Sequence, residues 1–554
     1  MRVYPYRPSF YFLFFCYAAG VLWGLAADGT AGPVLGRLSV AVPWGGPWMA
    51  AFGFSGLLLS GILCFGRRPA VRAVAAVLLA AGGGYVNVAL SRSAGGRLPD
   101  ACLDGRKRMY DVEVADFGKA TAKSWKKTVR VSAYCETEGE WVAIRATWCL
   151  YFQKDSAAAS LAPGDRLTVY AAPTPIDAAV YAGYARSMRR RYIYESAYVP
   201  RSAWQLVETA AGDGVATGGW SGRHPAHRLR RAAGRLQARL TAGLSHPRLN
   251  ERERGIAKAL VFGDKSDMDP EVHQAYRHAG VVHVLCVSGM HLGILSCLLL
   301  LLLKGLRGHA GRWIRFGIVS LFLWGYALVT GLSASVCRAA CMFTFVQAGL
   351  CFGRRLPIER SLVLSAWLLL LIRPEWLLDL GFLLSYMAVG GIVFLQPKAY
   401  PAVVEKHKLL KKIVAMSAVS WAAQCATGPL SGYSFGQFPV YFWVANLLVA
   451  PLASVLLPVG LVTGLAGLTG MPAAGTGWLT VGLAAILQGG IAWMNDMSLW
   501  IERWPGAILQ VTLSGFACLC CYGLLYCGRM AVVRREKRYW PYVGGLIWLM
   551  CCLA

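Results

Sequence analysis

The chain has 554 residues, with 56 Lys and Arg against 28 Asp and Glu, a net charge of +28. Yet 56% of it is hydrophobic, only 15% is charged, and the mean hydropathy is +0.46. A soluble nucleic-acid binder with that excess of base would be nearer a quarter charged, and a soluble enzyme would be less apolar, so the composition excludes both. It points to a polytopic membrane protein, in which Lys and Arg gather in cytoplasmic loops whatever the function. Most of the 17 cysteines lie inside apolar runs, Cys286, Cys297, Cys341, Cys351 and Cys518 among them. They read as small packing residues, with no metal or cofactor implied.

Three apolar runs open the chain, at about 9–27, 48–65 and 73–90, the first preceded by Arg2 and Arg7. The first is long enough to cross a bilayer and reads as a retained anchor. Arg67, Arg68 and Arg72 place the loop between the second and third in the cytoplasm, so the amino terminus is cytoplasmic too, and residues 91–281 form one extracytoplasmic insertion.

Within the insertion, 97–210 carries short alternating runs at 109–114, 128–133, 141–148 and 166–171, punctuated by Gly and Pro. That density of strands suits a small antiparallel barrel of the OB type. Residues 211–281 form a connector with an amphipathic helix at 223–244. Leu229, Ala233, Leu236 and Leu240 make one stripe of it, and Arg228, Arg231, Arg235 and Arg239 another, as in an interfacial helix. Cys102, Cys135 and Cys149 fall in an oxidising compartment, where Cys135 with Cys149 is the preferred disulfide because the two flank adjacent predicted strands.

From 282 to the end ten further runs follow, near 283–303, 313–331, 333–352, 360–372, 377–395, 411–428, 441–466, 477–496, 508–527 and 541–554. Basic clusters recur in four of the five loops that this count puts in the cytoplasm. The expected fold class is therefore a polytopic α-helical membrane protein of about 13 spans with an inserted, small all-β OB-like domain. Its parts are 1–96, 97–210, 211–281 and 282–554.

Polar residues inside apolar runs are the candidate functional positions, since each is costly in hydrocarbon unless it faces a partner or a water-filled path. His283, Ser288, Gly289 and His291 cluster in "HVLCVSGMHLG". The two histidines can share a helical face unless Gly289 breaks the helix. A serine beside histidines also suggests a membrane-embedded hydrolase, although no orienting carboxylate or oxyanion hole accompanies it. Arg338, Asp379, Ser385, Gln424 and Asn446 interrupt later runs. Arg338 and Asp379 either form an ion pair or line a polar route.

Four ordered blocks, "HAGVVHVLCVSGMHLG" at 278–293, "GLSASVCRAACM" at 331–342, "RPEWLLDLGFLLSYMAVGGI" at 373–392 and "GPLSGYSFGQFPVYFWVANLLVAPL" at 428–452, resemble the ComEC-type competence channels of the bacterial inner membrane. The resemblance implies that single-stranded DNA passes through the helical region and that the OB-like domain engages the incoming strand. Stacking and phosphate contacts would then come from Trp125, Lys126, Lys127, Arg130, Trp141, Arg145 and Trp148, and from Arg189, Arg190 and Arg191.

Many family members also carry a metallo-β-lactamase-like nuclease, marked by H-x-H-x-D-H. This chain has nine His, none in that arrangement, and no phosphate-binding G-x-x-x-x-G-K-[ST] loop. The expected partners are thus single-stranded DNA, the bilayer, and other competence proteins, including a separate nuclease and a cytoplasmic motor. Transport of another substrate is the remaining alternative.

Overall fold

The computed structural model describes residues 98–115, 118–120, 124–136, 140–161, 164–176, 193–208, 225–246, 248–265, 267–354, 356–396, 407–468, 478–511, 513–532 and 541–543, with scattered positions in 14–22, 82–88 and 185–189. The run at 48–65, most of those at 9–27, 73–90 and 541–554, and Arg190 and Arg191 lie outside the described residues. The chain divides into two units, Met1–Arg235 with Ala366–Asp379, and Leu236–Ser365 with Leu380–Ala554.

The first unit is built on a sheet of β1 (Arg108–Val114), β2 (Lys119–Ala120), β3 (Ser124–Cys135), β4 (Trp141–Gln153), β5 (Arg166–Ala171), β6 (Thr174–Pro175), β7 (Glu195–Val199) and β8 (Trp204–Glu208). Its order is β6-β7-β4-β3-β1-β5-β8, with β2 on β3. Pairing is antiparallel except between β4 and β7. A short helix, α1 (Ser156–Ser160), joins β4 to β5 and is capped by the Asp155 carboxylate on the Ala158 N–H.

Alternation sends Tyr110, Val112, Val129, Val131, Trp148, Leu150, Phe152, Leu167 and Val169 into one core. Tyr110 meets Trp148 edge-on at 4.5 Å. Register slips at Asp111/Val112 and Val131/Ala133 bend the long strands, as bulges do.

The expected Cys135–Cys149 disulfide does not form. Cys135 stands opposite Trp141 while Cys149 stands opposite Thr128. The stretch of β3 from Thr128 to Cys135 spans about 23 Å at the ordinary strand rise, far beyond the roughly 7 Å that a bridge tolerates. Cys102, Cys135 and Cys149 are all free thiols. The two strands are adjacent, but their register sets the distance.

The helical elements are α2 (Pro225–Gly243), α3 (Glu251–Phe262), α4 (Pro270–His278), α5 (Gly289–Leu302), α6 (Gly308–Val329), α7 (Ala334–Cys351), α8 (Ile358–Ile372), α9 (Leu380–Leu395), α10 (Lys408–Phe435), α11 (Phe442–Leu468), α12 (Trp478–Glu502) and α13 (Gly515–Val532). Local sequence sets their ends. Asn250 and Glu253 cap α3 reciprocally, and Gly263 closes it at φ +72°. Asp269 caps α4, whose first residue is Pro270, a preferred site for proline.

One core of the second unit joins Ile256 and Leu260 of α3, Val272 and Tyr276 of α4, Val449 and Leu456 of α11, and Leu487 and Met494 of α12. Within it the Tyr276 hydroxyl donates to Asn495 Oδ1 at 2.9 Å. At the carboxyl end of α2, Gly243 meets the backbone of Gly464 and Gly467 on α11, where any side chain would collide.

About 13 spans are not supported. Among the described residues three helices are long and apolar enough to cross a bilayer, Gly308–Val329, Ala334–Cys351 and Phe442–Gly467. Among the described residues, other apolar runs fall short for definable reasons. The run at 283–303 opens with a 3-10 turn, Val282–Leu285, so its helix starts only at Gly289. Those at 360–372 and 377–395 yield helices of 15 and 16 residues, short of the roughly 20 that a span needs. Part of the run at 508–527 is strand, β10 (Ile508–Gln510), paired with β9 (Gln437–Pro439). Helices α10 and α12 are long, but Lys408, Lys411, Lys412 and Gln424 dilute the first, and Gln488, Asn495 and Asp496 the second.

Candidate functional site

Gly280, at φ +79°, turns the chain out of α4 into the Val282–Leu285 turn. Cys286 and Ser288 are then extended, and α5 begins at Gly289. Gly289 therefore starts this helix rather than breaking one. His283, exposed in the turn, shares no helical face with His291.

Ser288 donates its backbone N–H to His291 Nδ1 at 3.2 Å. Because Nδ1 accepts, the proton of the neutral ring sits on Nε2. That nitrogen is buried and unpartnered among the described residues. Neither ring nitrogen engages the Ser288 hydroxyl, so no serine–histidine pair is assembled here.

Against this helix start lies Arg338 of α7, only 5% exposed. The turn preceding α7 uses left-handed backbone at Gly331 and Leu332, and this directs the first turns of the helix to the place where α5 starts. Arg338 donates from Nε to Ser385 Oγ of α9 at 2.8 Å and from Nη1 to Met342 Sδ at 3.1 Å. Its guanidinium lies 5.8 Å from the ring centre of Tyr386, whose hydroxyl pairs with Ser365 Oγ at 2.9 Å. Nη2 lies against Gly289, in space that any Cβ there would occupy.

No carboxylate of the described residues reaches Arg338. A buried cation without one is expensive, and here a hydroxyl, a thioether and an aromatic ring only partly offset the cost. Of the two arrangements left open for Arg338, an ion pair or a polar route, the structure shows neither directly; its guanidinium bonds Ser385. Asp379 belongs to the first unit, where its N–H donates to Trp376 O at 3.0 Å.

Elsewhere in the second unit, Gln424 lines an apolar cavity with Trp421, Cys425 and Phe438. Asn446 Oδ1 is buried without a partner among the described residues. Tyr386, Met342 and Ser365 were not singled out from sequence. Tyr386 had a signal, since "SY" is a polar pair inside the apolar run of α9.

In the sheet the anticipated DNA contacts separate into two sets. Lys127 is 1% exposed, donating from Nζ to Leu161 O at 2.8 Å, and Trp148 is 0% exposed in the core. Trp125 packs against that same core. By contrast Trp141 is exposed, and Arg130 lies outward, 3.9 Å from Glu113.

Lys126 stands beside Tyr151, and Tyr151 beside Tyr198, in one lateral row across β3, β4 and β7. Lys126 Nζ is 6.0 Å from the Tyr151 ring centre. Arg189 is half-buried. The side chain of Arg145 lies outside the described residues.

Residues 260–535 match the family model described as "Competence protein". The chain is 32% identical over 210 residues to ComE operon protein 3 of Bacillus subtilis (strain 168), a match covering 38% of this chain and 26% of that protein. It is 29% identical over 141 residues to an uncharacterized protein of Aquifex aeolicus (strain VF5), covering 25% and 33%. With Competence protein ComA of Neisseria gonorrhoeae it shares 27% over 223 residues, covering 37% and 30%. The chain thus spans about a third or less of the length of these curated relatives. No solved structure matches. By these matches the chain belongs to the ComEC-type competence-protein family.

Proposed function

We propose that this protein acts in DNA uptake during natural transformation, as a bacterial inner-membrane component that passes single-stranded DNA towards the cytoplasm. The observation that carries the reading is the competence match over residues 260–535, which encloses the buried, carboxylate-free Arg338 cluster. A polyanion needs a path without fixed negative charge, and a guanidinium held by neutral groups meets that need.

The first unit supports a strand-engaging role. Its long β3–β4 ribbon, the helix between β4 and β5 and the parallel β4–β7 pair suit a Greek-key barrel of the OB type, whose sheet face binds oligonucleotides. Trp141 and Tyr198, both exposed, supply stacking surfaces on the outer side, and Arg130 a phosphate contact. Lys126 lies beside them with its Nζ on Met188 Sδ, and Tyr151 packs on the small cluster around Met188 and Cys149. Lys127 and Trp148 drop out of this set because they are buried. A separate nuclease and a cytoplasmic motor complete the proposal.

The test is uptake of labelled DNA by a deletion strain with the wild-type chain restored. Uptake that returns with the chain supports the proposal; a deletion strain that takes up DNA as well as its parent sinks it.

A further inference from the structure

Three features meet at the start of α5. The first is the amino terminus of this 14-residue helix, where Ser288 and His291 form a capping box that leaves the Gly289 and Met290 N–H groups and the partial positive charge of the helix end. The second is Arg338, held with Nη2 against Gly289 and with no carboxylate partner among the described residues. The third is the Nε2–H of His291, a fully buried donor without a partner among the described residues. These three features are all donors or positive charge, the acceptors beside them, Ser385 Oγ and Met342 Sδ, being taken up by Arg338, while the neighbouring Met290 and Gly381 are exposed.

We infer that this corner is a phosphate-binding station, in which Arg338 and the amino terminus of α5 hold one phosphodiester of a passing strand. Helix amino termini bind phosphate through backbone N–H groups, and a guanidinium fork matches phosphate oxygens in shape and charge. Gly289 favours this arrangement, because a Cβ there would push the fork away from the helix start. One cation and one helix end give a modest hold, which suits a group that must release each phosphate to the next. The source of the phosphate rests on the DNA-uptake reading; the anion site does not.

The experiment uses the full chain in detergent with a fluorescent 12-nucleotide oligo(dT), titrated at several salt concentrations. A photo-crosslinking amino acid placed at Met290 reports occupancy. Arg338→Gln is expected to abolish that crosslink and to lower the slope of log affinity against log salt by about 0.7, one single-strand phosphate contact. Arg338→Lys should restore part of both. If Arg338→Gln does not fold, Gly289→Ala and Ser385→Ala decide, since they keep the charge and disturb only its placement, and both should weaken the crosslink.

An unchanged slope and crosslink in these variants overturns the station. So does Arg338-dependent retention of phosphatidylglycerol over phosphatidylcholine from mixed vesicles without oligonucleotide binding, which makes it a lipid headgroup site. Arg338-dependent crosslinking by a chain that restores no uptake supports the station and removes the uptake reading. Normal uptake with Arg338-independent crosslinking does the reverse.

Discussion

A Cβ on Gly289 would overlap the guanidinium of Arg338. The two residues lie on different helices, α5 and α7, so the absence of one side chain is what admits the other. Gly289→Ala is therefore expected to destabilise the protein by about 1–3 kcal/mol, the usual cost of overpacking, even though alanine is otherwise the better helix residue. Thermal unfolding in detergent measures it, and a variant as stable as wild type would show that Arg338 can move aside freely.

Tyr276 and Asn495 make the central polar contact of the second unit's core. Tyr276→Phe should cost about 1–3 kcal/mol, because Asn495 Oδ1 stays buried after losing its donor. Replacing both residues by apolar ones of similar shape should recover part of the loss, which a double-mutant cycle reads directly.

Neighbouring lysines on β3 should behave in opposite ways. Lys126→Ala is expected to leave stability within about 0.5 kcal/mol while weakening oligonucleotide binding and its salt dependence. Lys127→Ala removes a buried stem and orphans the Leu161 carbonyl, so it should destabilise the first unit by about 2–4 kcal/mol. Equal loss of binding per folded molecule in the two variants would contradict the burial pattern.

The thiols of the first unit should report their register. Cys135, partly exposed, is expected to alkylate in the native state. Cys102 and Cys149, both buried, should react only on unfolding. Intact mass without reductant should show no loss of hydrogens from a Cys135–Cys149 bridge.

Mild acid should loosen the connector. Burial first, and Arg248 second, hold the His246 imidazole below its ordinary value. Burial likewise lowers His273, with help from Lys265 and Arg277. Each ring binds a proton more readily when unfolded, so its contribution is complete above about pH 6.5 and drains away as pH falls below it. The unfolding temperature should drop between pH 7.5 and 5.5, and His246→Gln should flatten that drop.

Much of the sheet was readable in advance, because alternation at 109–114, 128–133, 141–148 and 166–171 marks β1, β3, β4 and β5. What alternation cannot give is pairing partners. Cys149 sits opposite Thr128, and Lys127 points inwards, only because of a register fixed by bulges and turns far along the ribbon. Hydropathy misled over the spans for a related reason: it averages over windows and so blurs the 3-10 turn before Gly289 and the strand at Ile508–Gln510. Arg338 and Ser385 were visible as polar interruptions. Their bond to each other was not, since it depends on how α7 and α9 pack.

The parallel pairing of β4 with β7 also sets a timetable for synthesis. By the time Gln153 has emerged β4 can pair with β3, but its other edge needs Glu195–Val199, and an unpaired edge invites the wrong neighbour. That edge of β4 cannot be covered until residue 199 has been made, and the sheet is not complete until β8 follows at Trp204–Glu208. A pause, a nick or an insertion between β6 and β7 would leave this edge open to a second nascent copy, so quality control of the protein should concentrate on that stretch.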